Sequence, residues 1–538
     1  MLENNMIITD KPHCSSKGLP ETQATGKKDA ADERPSHSKR LMEIAGRAIL
    51  WHTPAGEAFA TIENNGHHEH YEVAGRAFKD WLCREFFQQT RSAPSGQAMR
   101  DALGSIDGLA RFEGDEHSVF LRAAYDNENR VYVDLGLPDW SAVEISAGGW
   151  QIVPNPPVRF RRASRMQALP IPESGDPRDS IYKLKGFLNL ESDTNFQLIV
   201  GWILSCFLPK GGYPVLVLYG EQGTGKTTLV RVIRDVVDPN ESPLRKAPKC
   251  TEDLMVSALR NHIVAFDNVS FVTDELSDDI CRLATGSGLS KRTLYTNTEE
   301  TVISTKRPCI LNGIDQFVTR GDLADRSFSV SLPMIAEDKR SREETFWKDF
   351  ALAKGKIFGA LCSGIQAALA EKENFSMPAR PRMADAFHWI SAAEVAFGWP
   401  RFSTFKAFKM NQDEMAEAIL AGSPIFNWIE KWARLGFTGT AQRLLDNFRD
   451  DCGQNDRALR CLPQTAAALG NRLRRLAPAL RRLGIEIVFP PRTAKERTVI
   501  LRKRPVETVT PVIAVTDLKP NDGCDTDDSL FRTIGVEQ

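Results

Sequence analysis

The chain has 538 residues and a formal net charge of −1, with 42% hydrophobic and 26% charged residues. These values are typical of a soluble globular protein with about three domains, and they exclude a chain that attracts nucleic acid through an overall basic charge. The N-terminus lacks the apolar core of a signal peptide, and the longest apolar run, residues 196–208, is too short to span a bilayer. Because the ten cysteines form no CxxC pair, we expect free thiols, a cytoplasmic location and no membrane partner.

An α+β module is predicted at residues 41–170. The polar residues 1–40 before it, and the acidic residues 506–538 at the other end of the chain, are predicted to be disordered. Two alternating runs, AILWHT and AFATIE, predict a β-hairpin, Arg76–Gln89 has helical spacing, and short strands follow. The module has no paired carboxylates of the kind that a polymerase uses, so we assign no catalysis to it.

Two groups of residues in this module could bind a ligand. His67, His68 and His70 lie beside the turn signal Asn64-Asn65-Gly66. Because no second group of ligands is evident, a solvated turn is favoured over a metal site. A basic stretch before the proline-rich linker is either a solvated charge run, the commoner case, or a strip that faces nucleic acid phosphates. Its members are Arg159, Arg161, Arg162 and Arg165.

A phosphate-binding motif lies at residues 214–228, PVLVLYGEQGTGKTT. An apolar strand, Val215–Tyr219, leads into GxxxxGK[ST], and an amphipathic helix, Thr228–Val237, follows. Glycines let backbone N–H groups point at phosphate oxygens, and the helix N-terminus adds partial positive charge. We therefore predict that Lys226 contacts the β- and γ-phosphates of ATP and that Thr227 ligates Mg²⁺. The predicted nucleotide-binding residues are Gly220, Glu221, Gln222, Gly223, Thr224, Gly225, Lys226, Thr227 and Thr228.

A carboxylate is predicted at the end of a second buried strand. Four apolar residues, 263–266, precede Asp267, which would hold Mg²⁺ through water at the carboxyl edge of a parallel sheet. The next residue, Asn268, can orient water but cannot accept its proton at neutral pH. Either another acid is the base or hydrolysis is slow. The nearby acids are Asp274, Glu299 and Glu300.

Further polar residues follow along the chain. A strand at 308–311 ends in Asn312, which would help to place the attacking water. Arg326 precedes another strand and is predicted to reach the γ-phosphate bound to a neighbouring subunit, which implies a ring, most simply a homo-hexamer. This role, in which an arginine of one subunit contacts the γ-phosphate bound to the next, is called an arginine finger, and Arg320 is the second choice for it. The alternative for Arg326 is a surface ion pair with Asp322 or Asp325. A hairpin at 290–304 has an acidic tip, and the DNA contacts predicted at its root are Lys291 and Arg292.

The rest of the chain is predicted to form a helical region followed by a winged-helix domain. Residues 336–422 have the spacing of a helical lid or linker, and residues 423–505 give three helices followed by two strands around a basic loop. We expect Thr440 to cap the second of these helices and Pro463 to open the third. The local excess of basic residues favours DNA over a solvated helix in a subunit contact. The predicted DNA contacts are Arg472, Arg474, Arg475, Arg481, Arg482, Lys495 and Arg497.

These motifs carry a family resemblance. The order GEQGTGKT, FDN, GSGLSKRTLYTN, ILNG and DLADR resembles the ATPase core of superfamily-three helicases, such as phage-type and poxvirus primase–helicases. The longer matches, including RPCILNGI and PRMAD, are similar to an ATP-binding protein family of bacterial mobile elements over roughly residues 45–505. The resemblance implies an AAA+-like core with Asn312 at the sensor position. The chain departs from the helicases at Asn268, where they usually carry an acid, and at the hairpin tip, which is basic in them.

The sequence thus predicts an α/β P-loop NTPase core of AAA+/superfamily-three type at residues 180–335, with an N-terminal α+β module, a helical linker and a C-terminal winged-helix domain. The predicted function is an ATP- and Mg²⁺-dependent DNA helicase or replication ATPase of a phage, plasmid or integrated element, working with other replication proteins. One alternative is a DNA-binding regulator that hydrolyses ATP slowly and does not unwind. The other is a small-molecule P-loop kinase, which would not need the basic C-terminal domain.

Overall fold

The computed structural model describes residues 36–286, 289–292, 300–303, 305–340, 342–421, 423–453, 456–491 and 498–504. At 289–292, 300–303, 339 and 456–458 only the backbone is described. The chain forms two compact units. Residues up to Asp126, with Tyr132–Glu144 and Ile152–Arg162, form the first, and Asn127–Val131, Ile145–Gln151 and the residues from Ala163 onward form the second.

The N-terminal part of the chain contains α1 (His37–Ala45), β1 (Ile49–His52), β2 (Ala58–Asn64), β3 (His67–Glu72), α2 (Arg76–Thr90), α3 (Gly96–Phe112), β4 (Asp115–Glu116), β5 (Val119–Phe120), β6 (Ala123–Tyr125), β7 (Val131–Asp134), β8 (Ala142–Ser146), β9 (Gly149–Val153) and β10 (Arg159–Phe160). The predicted hairpin is confirmed, because β1 and β2 pair antiparallel. Disorder as far as residue 40 is wrong, because α1 begins at His37 and buries Leu41 and Ile44 in the core. The other residues of the two predicted tails lie outside the described part of the chain.

The predicted solvated histidine turn is also wrong. The turn is limited to Asn65-Gly66, so all three histidines lie on β3. His70 is buried, with its Nδ1 2.8 Å from the Thr61 hydroxyl oxygen, and burial lowers its pKa to about 3. Among the described residues, no three histidine, cysteine, aspartate or glutamate side chains are grouped to hold a metal.

The basic stretch near residue 160 has partners within its own unit. Arg162 forms an ion pair of 2.6 Å with Asp134, whose side chain is fully buried. Arg161 lies 2.9 Å from Glu57, and Arg159 lies over the ring of Trp51. These three arginines therefore stabilise the module, and neither a solvated charge run nor a nucleic acid strip describes them.

The second unit begins with α4 (Pro177–Lys185), α5 (Asp193–Ser205), β11 (Val215–Tyr219), α6 (Lys226–Val237), β12 (Arg245–Lys246), α7 (Thr251–Arg260), β13 (Val264–Asp267), α8 (Asp274–Thr285), β14 (Leu289–Arg292), β15 (Glu300–Ile303), β16 (Cys309–Gly313), α9 (Gly321–Ala324) and β17 (Ser327–Ser331). It continues with α10 (Glu343–Glu371), α11 (Ala384–Ala393), α12 (Ser403–Ala421), α13 (Phe426–Leu435), β18 (Phe437–Thr440), α14 (Ala441–Cys452), α15 (Asp456–Cys461), α16 (Ala466–Arg482), β19 (Ile485–Val488) and β20 (Thr498–Lys503). The strands β14 and β15 pair antiparallel, as the hairpin prediction requires, and the tip lies outside the described residues.

A five-stranded parallel sheet is the centre of this unit, in the order β12-β13-β16-β11-β17. The continuous apolar runs in β11, β13 and β16 are buried, as expected for strands covered on both faces. Because all five strands run the same way, their carboxyl ends meet at one edge of the sheet. The sheet therefore brings the loop after β11 to the same edge as Asp267 and Asn312, with β16 lying between β11 and β13.

The predicted helical region contains one long helix, α10, which runs without interruption from Glu343 to Glu371. Its glycines allow another segment to approach closely: a Cβ atom on Gly359 would lie 2.0 Å from the Glu173 carbonyl oxygen. Glu173 also donates its backbone N–H to the Gly355 carbonyl oxygen at 3.0 Å.

The C-terminal part of the second unit has a three-stranded antiparallel sheet, in the order β18-β20-β19, with helices α13, α14 and α16. Thr440 caps α14 as predicted, since its hydroxyl accepts the Arg443 N–H at 3.1 Å. The third predicted helix begins later than Pro463, because the Thr465 hydroxyl caps α16 through the Ala468 N–H at 3.2 Å. The strand β18 and the short helix α15 were not predicted.

No helix in the described ranges combines the length and the apolar character needed to cross a bilayer. The eight cysteines that the structure describes are free thiols, as expected.

A buried ion pair at the end of α6 gives a prediction about stability. Arg234 is 1% exposed, and its Nη2 lies 2.9 Å from Asp238 Oδ2. Replacing Asp238 with alanine would leave a buried guanidinium without its counter-charge, so we expect a loss of about 3 kcal/mol in the free energy of unfolding. Urea unfolding followed by circular dichroism measures it.

The exposed pair Asp446 and Arg449 provides the control. Both side chains are largely solvated, 3.1 Å apart, so Asp446→Ala is expected to change the free energy of unfolding by about 0.5 kcal/mol or less. Equal effects of the two substitutions would contradict the role given to the buried pair.

Candidate functional site

The loop between β11 and α6 is shaped by three glycines with positive φ: 153° at Gly220, 86° at Gly223 and 82° at Gly225. At Gly220 a Cβ atom would lie 2.6 Å from the Leu332 carbonyl oxygen, so no larger residue fits. Gly225 is the N-cap of α6 and has no side chain with which to bond the first amides of the helix. The backbone N–H groups of the first helical turn are thus available to an anion.

The Lys226 side chain folds back over this loop. Its Nζ donates to the carbonyl oxygens of Gly220 and Glu221, each at 2.7 Å. Burial lowers the pKa of the ammonium group, and the charge of Asp267 opposes that shift. The Lys226 ammonium group is therefore close enough to the carboxylate at the end of β13 for their charges to interact.

Asp267, Asn268 and Asn312 form one hydrogen-bonded group. The Asn268 N–H donates to Asp267 Oδ1 at 2.9 Å and to Asn312 Oδ1 at 3.1 Å. Asn268 has a φ of 54°, in the left-handed region. Asn312 is fully buried, and its Nδ2 has no hydrogen-bond partner among the described residues. The described contact of Asn312 is thus with the backbone that follows Asp267.

A cavity of about 450 Å³ lies in front of these groups. It is lined by Gln222, Gly223, Gly225, Lys226, Thr227, Asp267, Asn268 and Ile314. Its volume is in the range of small-molecule and cofactor sites. A cation, a hydroxyl, a carboxylate and a row of backbone amides converge there, which is the donor set that a polyphosphate with a divalent cation requires.

Asp274 is the one candidate base whose side chain the structure describes, and it does not line this cavity. Asp274 is engaged by Arg320 and Arg475, at 3.8 Å and 3.5 Å. Glu299, and the side chain of Glu300, lie outside the described part of the chain.

Arg326 is held by its own subunit. Its Nη1 lies 2.6 Å from Asp322 Oδ1, and Arg382 bonds the same carboxylate. The two motifs DLADR and PRMAD therefore meet in one ion-pair cluster. Arg320, the second choice for the finger, lies 3.0 Å from Asp278. Neither arginine is among the described residues that line the cavity.

The structure divides the arginines of α16 between several partners. Arg475 contacts Asp274, and Arg482 lies 3.6 Å from Asp325 and 3.3 Å from Asp413 of the core. Arg474 stacks over the Phe489 ring. The side chains of Arg472 and Arg481 have no hydrogen bond or ion pair with another described residue. The side chains of Lys291 and Arg292 and all of Lys495 and Arg497 lie outside the described part.

Two models of protein families match separate regions of the chain. A model described as "Actinomycete integrative conjugative element replication protein" matches residues 179–417. The "AICE RepA C-terminal domain" matches residues 421–512, and the two matches together cover more than half of the chain. The chain belongs to this family of replication proteins. The expectation of a replication protein from a mobile element is thereby confirmed, and the family matches do not extend to the N-terminal module.

Other comparisons add little. The structure titled "The A form apo structure of NrS-1 C terminal region-CTR" is 13% identical, covering 88% of this chain and 100% of that chain, with a TM-score of 0.36. "The apo structure of NrS-1 C terminal region" is also 13% identical, covering 87% and 99%, with a TM-score of 0.37. TM-scores this low carry no argument about fold or function. No curated protein matches the chain.

Two residues near the site were missed by the sequence reasoning. Ile314 lines the cavity from the loop after β16, and an apolar loop residue gives no signal of a site. Asn189 donates its side-chain amide to the carbonyl oxygens of Thr224 and Pro333, at 3.0 Å and 2.6 Å. Asn189 thereby fixes the position of the glycine loop, although it lies more than thirty residues before Thr224 in the sequence.

The cluster around Arg326 gives a prediction about pH. Burial raises the pKa of Asp322, but hydrogen bonds from Arg326 and Arg382 outweigh it and lower the pKa to about 2. A carboxylate with a depressed folded-state pKa contributes stability above its unfolded pKa, near 3.8, and loses it as the pH falls toward 2. We expect Asp322→Asn to cost about 1 kcal/mol at pH 6, because the side chain is part-exposed and screened.

The difference between the two proteins in the free energy of unfolding should be constant above about pH 5 and shrink between about pH 4 and pH 2. Urea unfolding at a series of pH values measures it. A difference that grows as the pH falls would show that Asp322 is not held ionised by these arginines.

Proposed function

We propose that this replication protein binds ATP with Mg²⁺ in an α/β P-loop core of AAA+/superfamily-three type and hydrolyses it to ADP and phosphate. The observation that carries the proposal is the convergence of the glycine loop, Lys226, Thr227 and Asp267 on one cavity of about 450 Å³. These residues come from the ends of separate strands, and they supply the charges that a metal–triphosphate requires.

Each residue has a stated part in this proposal. The loop amides and Lys226 would hold the phosphates, while Thr227 and Asp267 would hold Mg²⁺, which neutralises charge on the phosphates when bound. Asn268 would orient the attacking water with its amide. Asn312 accepts a hydrogen bond from the Asn268 backbone and would thereby fix the position of the Asn268 side-chain amide.

We propose further that ATP turnover drives work on DNA, as a helicase or translocating replication ATPase. Membership of a replication protein family supports a DNA partner. The arginine-rich helix α16 in a winged-helix module would contact phosphates. Arg326 would act on the nucleotide of the next subunit in a ring. Other replication proteins of the element would be its partners.

A second candidate function is an ATP-dependent DNA-binding switch that hydrolyses slowly and does not unwind. The observation that favours it is the amide of Asn268 at a position where an acid would activate water. Asp274 does not line the nucleotide cavity, so it is not placed to take over that task. A strand-displacement assay with the purified protein separates the two, since only the motor releases the displaced strand.

Lys226→Ala tests the nucleotide site. Loss of the ammonium group should weaken ATP binding about a hundredfold and abolish turnover, because that charge has no substitute in the cavity. Binding of a fluorescent ATP analogue and phosphate release measure the two effects. The exposed Lys348→Ala on α10 is the matched control and should change neither. Turnover retained in Lys226→Ala would contradict the site.

Arg326→Ala tests the finger. The variant should bind ATP within about twofold of the parent and turn it over at least about a hundredfold more slowly, because an arginine finger contributes mainly to the transition state. Asp322→Asn is the control for damage to the ion-pair cluster, since it breaks the pair but keeps the guanidinium.

A mixing experiment shows whether Arg326 acts across a subunit boundary. Lys226→Ala subunits keep Arg326, and Arg326→Ala subunits keep the nucleotide site. A mixture of the two inactive variants should recover part of the turnover if each site is built from two subunits. No recovery in mixed assemblies would remove the trans assignment.

A further inference from the structure

A second cavity, of about 1040 Å³, lies between α16 and the core, and it has no lining residue in common with the nucleotide cavity. Its floor is apolar, formed by Val318, Ile419 and Leu476. Its walls have four guanidinium groups and two carboxylates, so it has a net positive charge. We call it the arginine cleft, and its arginines are Arg320, Arg472, Arg474 and Arg475.

The periodicity of α16 separates its arginines into two sets. Arg472 and Arg475 are three residues apart and so share one face of the helix. Arg481 lies about half a turn around the helix from Arg472 and does not line the cleft, whereas Arg474 does. Leu473 and Leu480 are buried in the module core between them. A ligand in the cleft and a ligand on the side of Arg481 would therefore depend on different arginines.

The cleft face has hydrogen-bond donors to spare. The Arg472 side chain makes no hydrogen bond or ion pair with another described residue. Arg475 has only a 3.5 Å contact with Asp274, and the two side chains are 74% and 63% exposed. An exposed pair of this kind is weak, so a phosphate can replace the carboxylate. The buried Nε2 of Gln316, at the cleft wall, also lacks a partner among the described residues.

We propose that the arginine cleft binds the phosphodiester backbone of single-stranded DNA, which places the strand between the C-terminal module and the core. This inference rests on the proposed DNA-binding function and assigns it to one face of α16. Guanidinium groups bind phosphates through paired donors, and the apolar floor suits sugars and bases. The cleft volume suits a few nucleotides of a single strand and is far below that of a turn of duplex.

The test compares two double variants of the full chain. Anisotropy of a labelled single strand of about 20 nucleotides is measured over a series of salt concentrations. Arg472→Ala with Arg475→Ala should weaken binding about tenfold or more and reduce the salt slope by about 1.4, for two lost phosphate contacts. Arg443→Ala with Arg481→Ala removes the same charge from two exposed residues that do not line the cleft, and it should change affinity by less than about twofold. Circular dichroism verifies that both variants are folded.

A third variant tests the competition. Asp274→Asn removes the carboxylate that opposes the phosphate, so it should strengthen binding of the strand about threefold. Weaker binding in this variant would overturn the proposal. Displacement of the strand by millimolar inorganic phosphate would also overturn it, because the cleft would then be a small-anion site.

The remaining outcomes separate this inference from the function on which it rests. If the parent chain binds DNA and the Arg443/Arg481 variant loses more affinity than the Arg472/Arg475 variant, or both lose affinity equally, the cleft assignment fails and the proposed function stands. If the parent chain binds no single-stranded DNA, the DNA part of the proposed function fails as well.

Discussion

The ammonium group of Lys226 holds the candidate site together. The ammonium group is only partly buried, and two carbonyl oxygens of the glycine loop accept hydrogen bonds from it. Those carbonyls can face inward only because Gly220, Gly223 and Gly225 adopt backbone angles that other residues avoid. The loop, its lysine and the start of α6 are therefore one unit, and the rest of the site is arranged in front of it.

The sheet supplies the second constraint. The strand β16 lies between β11 and β13, so Asn312 near its end stands behind the backbone that follows Asp267. Outside the sheet, Asp322 pairs with Arg326 in its own segment and with Arg382, which lies sixty residues further along the chain. In both places a buried or part-buried polar side chain fixes the position of a residue that the sequence analysis predicted to be functional. Asn312 holds the backbone of Asn268, and Asp322 holds the side chain of Arg326.

The sequence predicted those features that have local causes. Continuous apolar runs predicted β11, β13 and β16, and Thr440 was identified as a cap, because each depends on neighbours along the chain. Features that depend on distant partners were not predictable. The glycines of α10 suggest a break unless the approach of Glu173 is known. The charge of Arg482 was evident, but its pairing with Asp325 and Asp413 was not, since composition records a charge without its neighbours.

The left-handed turn at Asn268 restricts what else could stand there. Asparagine and aspartate tolerate this backbone better than other residues with a side chain, whereas a β-branched residue would be strained. An engineer who wished to speed up water activation would therefore choose aspartate before glutamate. The aspartate side chain would keep the turn intact, and its carboxylate would reach one methylene group less far than that of glutamate.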